Sequence, residues 1–282
     1  METGLKLMAQ TNKEYNHLTN LELSIQISLS GLSFCVLNPD TKTIIELKSQ
    51  VFSIKKTPTE LLDAVIHLFN TEEILNQNFS SINIIHVNDW STLVPKALFK
   101  EDYLADYLKF NTKILKTDFI TFDEIITNES INIYVPFTNI NNYIFDKYGS
   151  FTYKHFSTIL IEQLLVKEKH SSNTKVYVNI DTNNFEIIAI KEGGLLLYNT
   201  FEYHTKEDYI YYLLFTLEQL QLNPETLQLV LLGLINKEDD VYNITYKYIR
   251  NVSFENRWIP IILQRHQQQI THISPTKKLI MR

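Results

Sequence analysis

The sequence predicts an α/β protein built from two copies of a β-β-β-α-β unit, packed together. Three observations predict it. Apolar residues alternate at period two in two separate stretches, near residues 23–47 and 176–201, and each time the phase flips at a turn. A helix with its own N-terminal cap follows each stretch. A short, nearly continuous apolar run follows each helix, the pattern of a strand buried on both faces.

In the first copy, Ile25, Ile27 and Leu29 alternate, and after Ser30-Gly31 the phase passes to Leu32, Phe34 and Val36. A flip at a glycine predicts a turn or bulge between two strands. Asn38-Pro39-Asp40 supplies a second turn into a third strand, Thr43 to Leu47. Thr57-Pro58-Thr59-Glu60 precedes LLDAVIHLF. Thr57 is placed to cap the helix, with Pro58 at its first position and Glu60 at its third, a capping box. INIIHVN (82–88) then reads as a buried strand.

The same order returns about 153 residues later. Val176, Val178 and Ile180 alternate, Asp181-Thr182-Asn183-Asn184 turns the chain, and Phe185, Ile187 and Ala189 alternate in the other phase. Glu192-Gly193-Gly194 leads into LLLYNTF; such a pair of glycines between alternating strands is a hairpin turn. Thr205 caps a helix with Asp208 three residues on, and LQLVLLG (227–233) follows as a strand.

Between the copies, VPKALFKEDYLADYLKF reads as a Pro-led helix and INIYVPF (131–137) as a strand. FTYKHFSTILIEQLLVKEKH ends in a helix with Lys and His in its last turn, where they suit the helix dipole. NKEDDVYNITYKYIRNVSF reads as a helix and a short strand. The expected divisions are a flexible N-terminal segment (1–20), a first half (21–170), a second half (171–262) and a polar tail (263–282). No Gly/Ser- or Pro-rich linker separates the halves.

Composition narrows the function. Of 282 residues, 44% are hydrophobic and 21% charged, and there are 16 Phe and 16 Tyr, which supports a packed core and argues against disorder. Only 6 residues are Gly, leaving few for loops that let backbone approach a phosphate. A net charge of −6 argues against a large basic nucleic-acid surface. Cys35 is the only cysteine, and it predicts no internal disulfide and no Cys-based metal site. The eight histidines form no His-x-x-x-His pair, although His86 and Asp89 leave one strand end together, as an acid–base pair would. No signal peptide and no membrane-spanning run is read, so a cytoplasmic location is expected.

The duplicated unit resembles the core of the actin-like ATPase superfamily, a ribonuclease H-like fold that includes sugar kinases, Hsp70 chaperones and bacterial actin homologues. More closely, LSIQISLSGLSF (23–34), VPKALF (94–99), LYNTFEYHTKEDYIYYLLF (197–215) and KYIRNVSF (247–254) resemble a Bacteroidota family of proteins of unknown function grouped with it. The resemblance spans nearly the whole chain and implies the fold; it carries over no activity. In the superfamily, an acid followed two residues later by Gly binds the metal and admits the phosphates in each hairpin. Gln26-Ile27-Ser28 stands at the first of these places and Asp181-Thr182-Asn183 at the second, so the acid is absent from one and the Gly from both. The adenosine loop normally has paired glycines; here Gly233 is followed by Leu234 and Ile235.

Asp181, Thr182, Asn183 and Gly233 are therefore the nucleotide-binding candidates if that chemistry is retained. The commoner role for a hairpin Asp is a bond to its own backbone, and for a strand-end Gly a structural one. Tyr209, Tyr212, Tyr246 and Arg250 are interface candidates, because Tyr and Arg anchor protein interfaces; the alternative is a core edge. No catalytic or metal-binding residue is assigned. The leading expectation is a non-catalytic actin-like protein that binds an unidentified protein partner, without a cofactor. The alternative is an ATP- and magnesium-binding protein or kinase using Asp181. An RNA-associated factor has only the basic tail in its favour.

Overall fold

The computed structural model describes residues 20–110 and 112–255. The polar tail and all but the last residue of the N-terminal segment lie outside them.

The first half opens with strands β1 (Glu22–Ser28), β2 (Gly31–Asn38) and β3 (Thr43–Val51), the last four residues longer than its alternation suggests. Helix α1 (Pro58–Thr71) begins with the expected capping box, Thr57 and Glu60 each bonding the other's backbone. Strand β4 (Ser81–Val87) follows. Next come β5 (Ser91–Pro95), the one-turn helix α2 (Leu104–Leu108), β6 (Thr121–Ile125) and β7 (Ser130–Tyr134). Helix α3 (Thr138–Tyr148), β8 (Thr152–His155) and α4 (Phe156–Glu168) complete this half. The second half runs β9 (Lys175–Ile180), β10 (Asn184–Lys191), β11 (Gly194–Glu202), α5 (Lys206–Gln219), β12 (Gln228–Gly233), α6 (Asp240–Tyr248) and β13 (Asn251–Phe254).

The duplication holds at the level of strand order. One sheet is β3-β2-β1-β4-β8 and the other β11-β10-β9-β12-β13, each with an antiparallel three-strand meander and two parallel strands. The repeat is therefore longer than the predicted unit by one helix and one strand: α3-β8 in the first half, α6-β13 in the second. Registers agree as well. Ile27 lies opposite His86 across β1–β4, as Ile180 lies opposite Gly233 across β9–β12, and both meanders turn through two residues. On this register Ser28 corresponds to Asp181 and Gln26 to Asn179, so the expected match of Asp181 with Gln26 is off by two residues: Asn179 holds the acid's place and Asp181 the glycine's.

One expectation fails between the halves. The Pro-led helix is instead strand β5, two 3₁₀ turns and one turn of α-helix. Pairing of Ser91–Pro95 with β7 overrides the local helical pattern, and Pro95, which has no N–H, ends the strand. With β6, these strands form a separate antiparallel sheet, β5-β7-β6, inserted between β4 and α3. Helix α3 itself has no side-chain cap and three Asn in its first half, poor helix formers; it forms because Ile140 and Ile144 bury one face.

Helix α4 holds the halves together. Its buried residues run through every side, from Phe156 and Ile159 to Leu160, Ile161 and Leu165, as in a helix with protein all around it. These side chains share one cluster with Cys35 and Ile85 of the first sheet and Tyr177, Ile188 and Ile190 of the second. Helix α1 packs on the other face of the first sheet and α5 on the other face of the second.

Candidate functional site

The candidate residues gather at the hairpins where β1 and β9 end. In the first hairpin, Ser28 Oγ accepts from the N–H groups of Ser30 at 3.2 Å and Gly31 at 2.9 Å. It also lies 3.0 Å from Ser30 Oγ. The backbone donors of this turn therefore point at the protein's own hydroxyl.

The second hairpin brings Asp181, Thr182, Asn183 and Gly233 together, because the β9–β12 register sets Gly233 beside Ile180. Asp181 Oδ1 accepts from the Thr182 N–H at 2.7 Å and its hydroxyl at 3.4 Å, and the Asp181 carbonyl accepts from the Tyr203 hydroxyl at 2.9 Å. Thr182 and Asn183 are exposed. Asn183 is not among the residues in the left-handed region, so this turn forms without a glycine. Gly233 does occupy that region, at φ +83°, and a Cβ on it would stand 2.2 Å from the Ile180 carbonyl oxygen and 2.8 Å from Asn179 Oδ1.

One charged residue beside this hairpin went unmarked in the sequence. Glu186 lies opposite Asn179 on the α4 side of the second sheet, 8% exposed, and accepts from Asn179 Nδ2 at 2.6 Å. Burial pushes its carboxyl up to about 7, and the charge of Asp181 adds to the shift. Its signal was a single Glu at an inward position of the apolar run FEIIAI.

A buried polar network lies at the start of α4. His155 caps the helix: its Nδ1 accepts from the Ser157 N–H at 3.2 Å and stands 2.7 Å from the Ser157 hydroxyl. Nδ1 is thus the acceptor, which leaves Nε2–H to donate to the Asn88 carbonyl at 3.1 Å. Burial, with His86 nearby, holds His155 down to about 3. Asn132 donates to Ser157 and Thr158 at 2.9 Å each, and Asp123 accepts from the His155 N–H and the Thr158 hydroxyl at 2.8 Å. A hydroxyl against an imidazole suggests a nucleophile and its base, but Ser157 and His155 are 0% and 1% exposed. The arrangement is a helix cap.

His86 is likewise buried and does not pair with Asp89. Its Nδ1 accepts from the Phe137 N–H at 3.3 Å, its Nε2 lies 3.0 Å from Asn141 Oδ1, and burial lowers it to about 4. Cys35 is buried in the shared core. Among the described residues, no three His, Cys, Asp or Glu side chains are grouped to hold a metal ion, and no helix is long and apolar enough to cross a membrane.

The interface candidates divide. Tyr209 is fully buried, its ring against Phe185 and its hydroxyl accepting from Thr245 at 3.0 Å, so it belongs to the core. It falls on the same helix stripe as Leu213 and Leu217, which decides its burial. Tyr212 is half-buried on Phe201, while Tyr246 and Arg250 are exposed. The outer rings form two rows instead of one patch. Tyr212, Tyr211 and Phe215 line up beside β11, and Tyr246 stacks on Tyr242, which stacks on Phe254 of β13.

Comparison with known proteins agrees with this architecture. A solved structure from Bacteroides thetaiotaomicron, a protein with actin-like ATPase fold and unknown function, is 25% identical and has a TM-score of 0.77; the match covers 89% of this chain and 96% of that one. A chain of the PilM–PilN type IV pilus biogenesis complex has a TM-score of 0.53 at 12% identity, covering 83% of this chain and 88% of that one. No curated protein matches. The family model of a protein of unknown function, DUF3822, matches residues 10–252, and the chain belongs to that family, with the actin-like ATPase fold.

Proposed function

We propose that this protein is a non-catalytic member of the actin-like superfamily that works in the bacterial cytoplasm by binding another protein. The carrying observation is the Ser28 hydroxyl, which takes the backbone donors of the first hairpin. Where the superfamily's ATPases bring an acid and a Gly to the phosphates, this chain has Gln26 and Ser28, with Asn179 at the place corresponding to Gln26. Gly233 is accounted for by the Ile180 carbonyl against it, without a nucleotide. Asp181 is the one carboxylate in the turns of these two hairpins, and it bonds its own loop. These residues do not fit magnesium-ATP in the manner of the superfamily. The PilM–PilN complex supports the reading from another side, since a protein of this fold there belongs to a protein assembly.

Calorimetric titration with ATP and magnesium is expected to give a Kd weaker than ~1 mM, because missing coordinating groups remove several kcal/mol from binding. An ATP-dependent rise in melting temperature that Asp181→Ala abolishes would overturn the proposal in favour of an ATP-binding protein or kinase.

A further inference from the structure

We propose that the outer edge of β3, with the groove between it and α1, takes up an extended peptide strand that presents basic side chains at alternate positions. The proposal rests on the protein-binding reading above and gives it a place and a chemistry.

The main chain supplies the first half of the argument. The Phe52 N–H donates to the Ser30 carbonyl at 2.8 Å, which makes Ser30 and Phe52 a hydrogen-bonded pair of the β2–β3 ladder. Bonded and non-bonded pairs alternate in an antiparallel ladder. Leu32–Gln50 and Phe34–Lys48 are then the bonded pairs, and Gly31–Val51, Ser33–Ser49 and Cys35–Leu47 the others. The N–H and C=O groups of Leu47, Ser49 and Val51 therefore point away from β2. Because β3 is the outermost strand of its sheet, they point off its edge, and among the described residues no hydrogen-bond partner meets them. Ser49 and Val51 are exposed, Val51 by 68%. This is an open template for strand addition.

The side chains supply the second half. Gln50 of β3 and Phe52, one residue past its end, lie on the same side and border a groove of about 360 Å³ whose far wall is α1. Glu60, Asp63, Ala64 and His67 line that wall, spaced as one stripe of a helix. A strand added to β3 would turn every second side chain to this face. A long side chain there meets the Phe52 ring and Ala64 with its stem and the carboxylates of Asp63 and Glu60 with its tip. The N–H and hydroxyl of Thr57 bond Glu60 and hold its carboxyl below the usual range, so it is an anion at neutral pH. The protein's own Lys56 already shows the preferred chemistry, its ammonium 4.9 Å from the centre of the Phe52 ring in the same groove. A lysine or arginine from a partner strand would take over that position.

The test uses the full chain and two labelled, end-capped octapeptides, one alternating Lys and Val, the other Glu and Val. Fluorescence anisotropy is expected to show the Lys peptide binding at least ten-fold more tightly. Ser49→Pro is expected to weaken it ten-fold or more with unchanged melting, since the Ser49 N–H faces outward and proline is tolerated at such an edge. Asp63→Lys should weaken it similarly. Should Ser49→Pro not fold, hydrogen exchange of the wild type decides: the Ser49 and Val51 amides are expected to exchange fast alone and slowly with the Lys peptide. Equal binding of the two peptides, undiminished binding by folded Ser49→Pro, or slow exchange of both amides in the free protein overturns the proposal. A native partner that Ser49→Pro still captures would overturn this site while leaving the protein-binding reading standing.

Discussion

Gly233→Ala is expected to destabilise the protein by about 2 to 5 kcal/mol, lowering the melting temperature by about 10 °C for a chain of this size. Two effects add. The residue sits at φ +83°, where a Cβ costs about 1 to 2 kcal/mol. The same Cβ would lie 2.2 Å from the Ile180 carbonyl oxygen, a backbone atom in a paired strand that cannot yield as a flexible side chain would. Forced rearrangement of packed atoms costs another ~1 to 3 kcal/mol. Gly149→Ala separates the two effects, because Gly149 has φ +78° and nothing within 4 Å of its added Cβ. It should lose only about 1 kcal/mol. Thermal denaturation of both variants by circular dichroism checks this. Equal melting for the two would mean that close packing does not explain Gly233, and a ligand-related reason for the glycine would regain its place.

Position relative to the core decides what of this fold the sequence discloses. The two meanders are legible because every second residue from Ile25 to Val36, and from Val176 to Ala189, faces apolar surroundings, and Thr57 and Thr205 mark the helix starts with bonds that need only neighbours in sequence. The inserted sheet is legible only in β7, the strand read at 131–137; β5 and β6 are five residues each and derive their stability from pairing with it. Tyr209 shows a different failure: residue type suggested an interface, whereas its place on the stripe of Leu213 and Leu217 already indicated burial. The His155 cap could not be read at all. Ser157 is a neighbour in sequence, but Asn88, which accepts from His155 Nε2, and Asn132, which donates to Ser157, come from distant segments that only the folded chain brings together.

Stability is expected to rise from pH 5 to about pH 7 and then to level off, because groups of opposite sign titrate across this range. His86 and His155 have folded values of about 4 and 3 against an ordinary 6.5. Folding therefore releases their protons below pH 6.5, and stability falls as the solution is acidified through that range. At pH 5 each contributes a loss of about 2 kcal/mol, given 1.36 kcal/mol per unit of pKa difference. Glu186 has a folded value of about 7 against 4.5. Folding therefore takes up a proton between those limits, and this group's contribution to stability falls as pH rises from 4.5 through 7, by about 3 kcal/mol in full. Below pH 6.5 two imidazoles oppose one carboxyl, so stability falls on acidification despite Glu186; between pH 6.5 and 8 the last proton loss of the unfolded imidazoles and the last ionisation of Glu186 nearly cancel. Glu186→Gln preserves an acceptor for Asn179 and removes the charge. It is expected to raise the melting temperature at pH 8 by about 6 to 10 °C, on ~3 kcal/mol and a few degrees per kcal/mol, to raise it much less at pH 5, and so to steepen the rise between pH 5 and 7. Melting measured from pH 5 to 8 on both proteins tests the argument. A gain from Glu186→Gln no larger at pH 8 than at pH 5 would show that this carboxyl is not forced to ionise in a buried place.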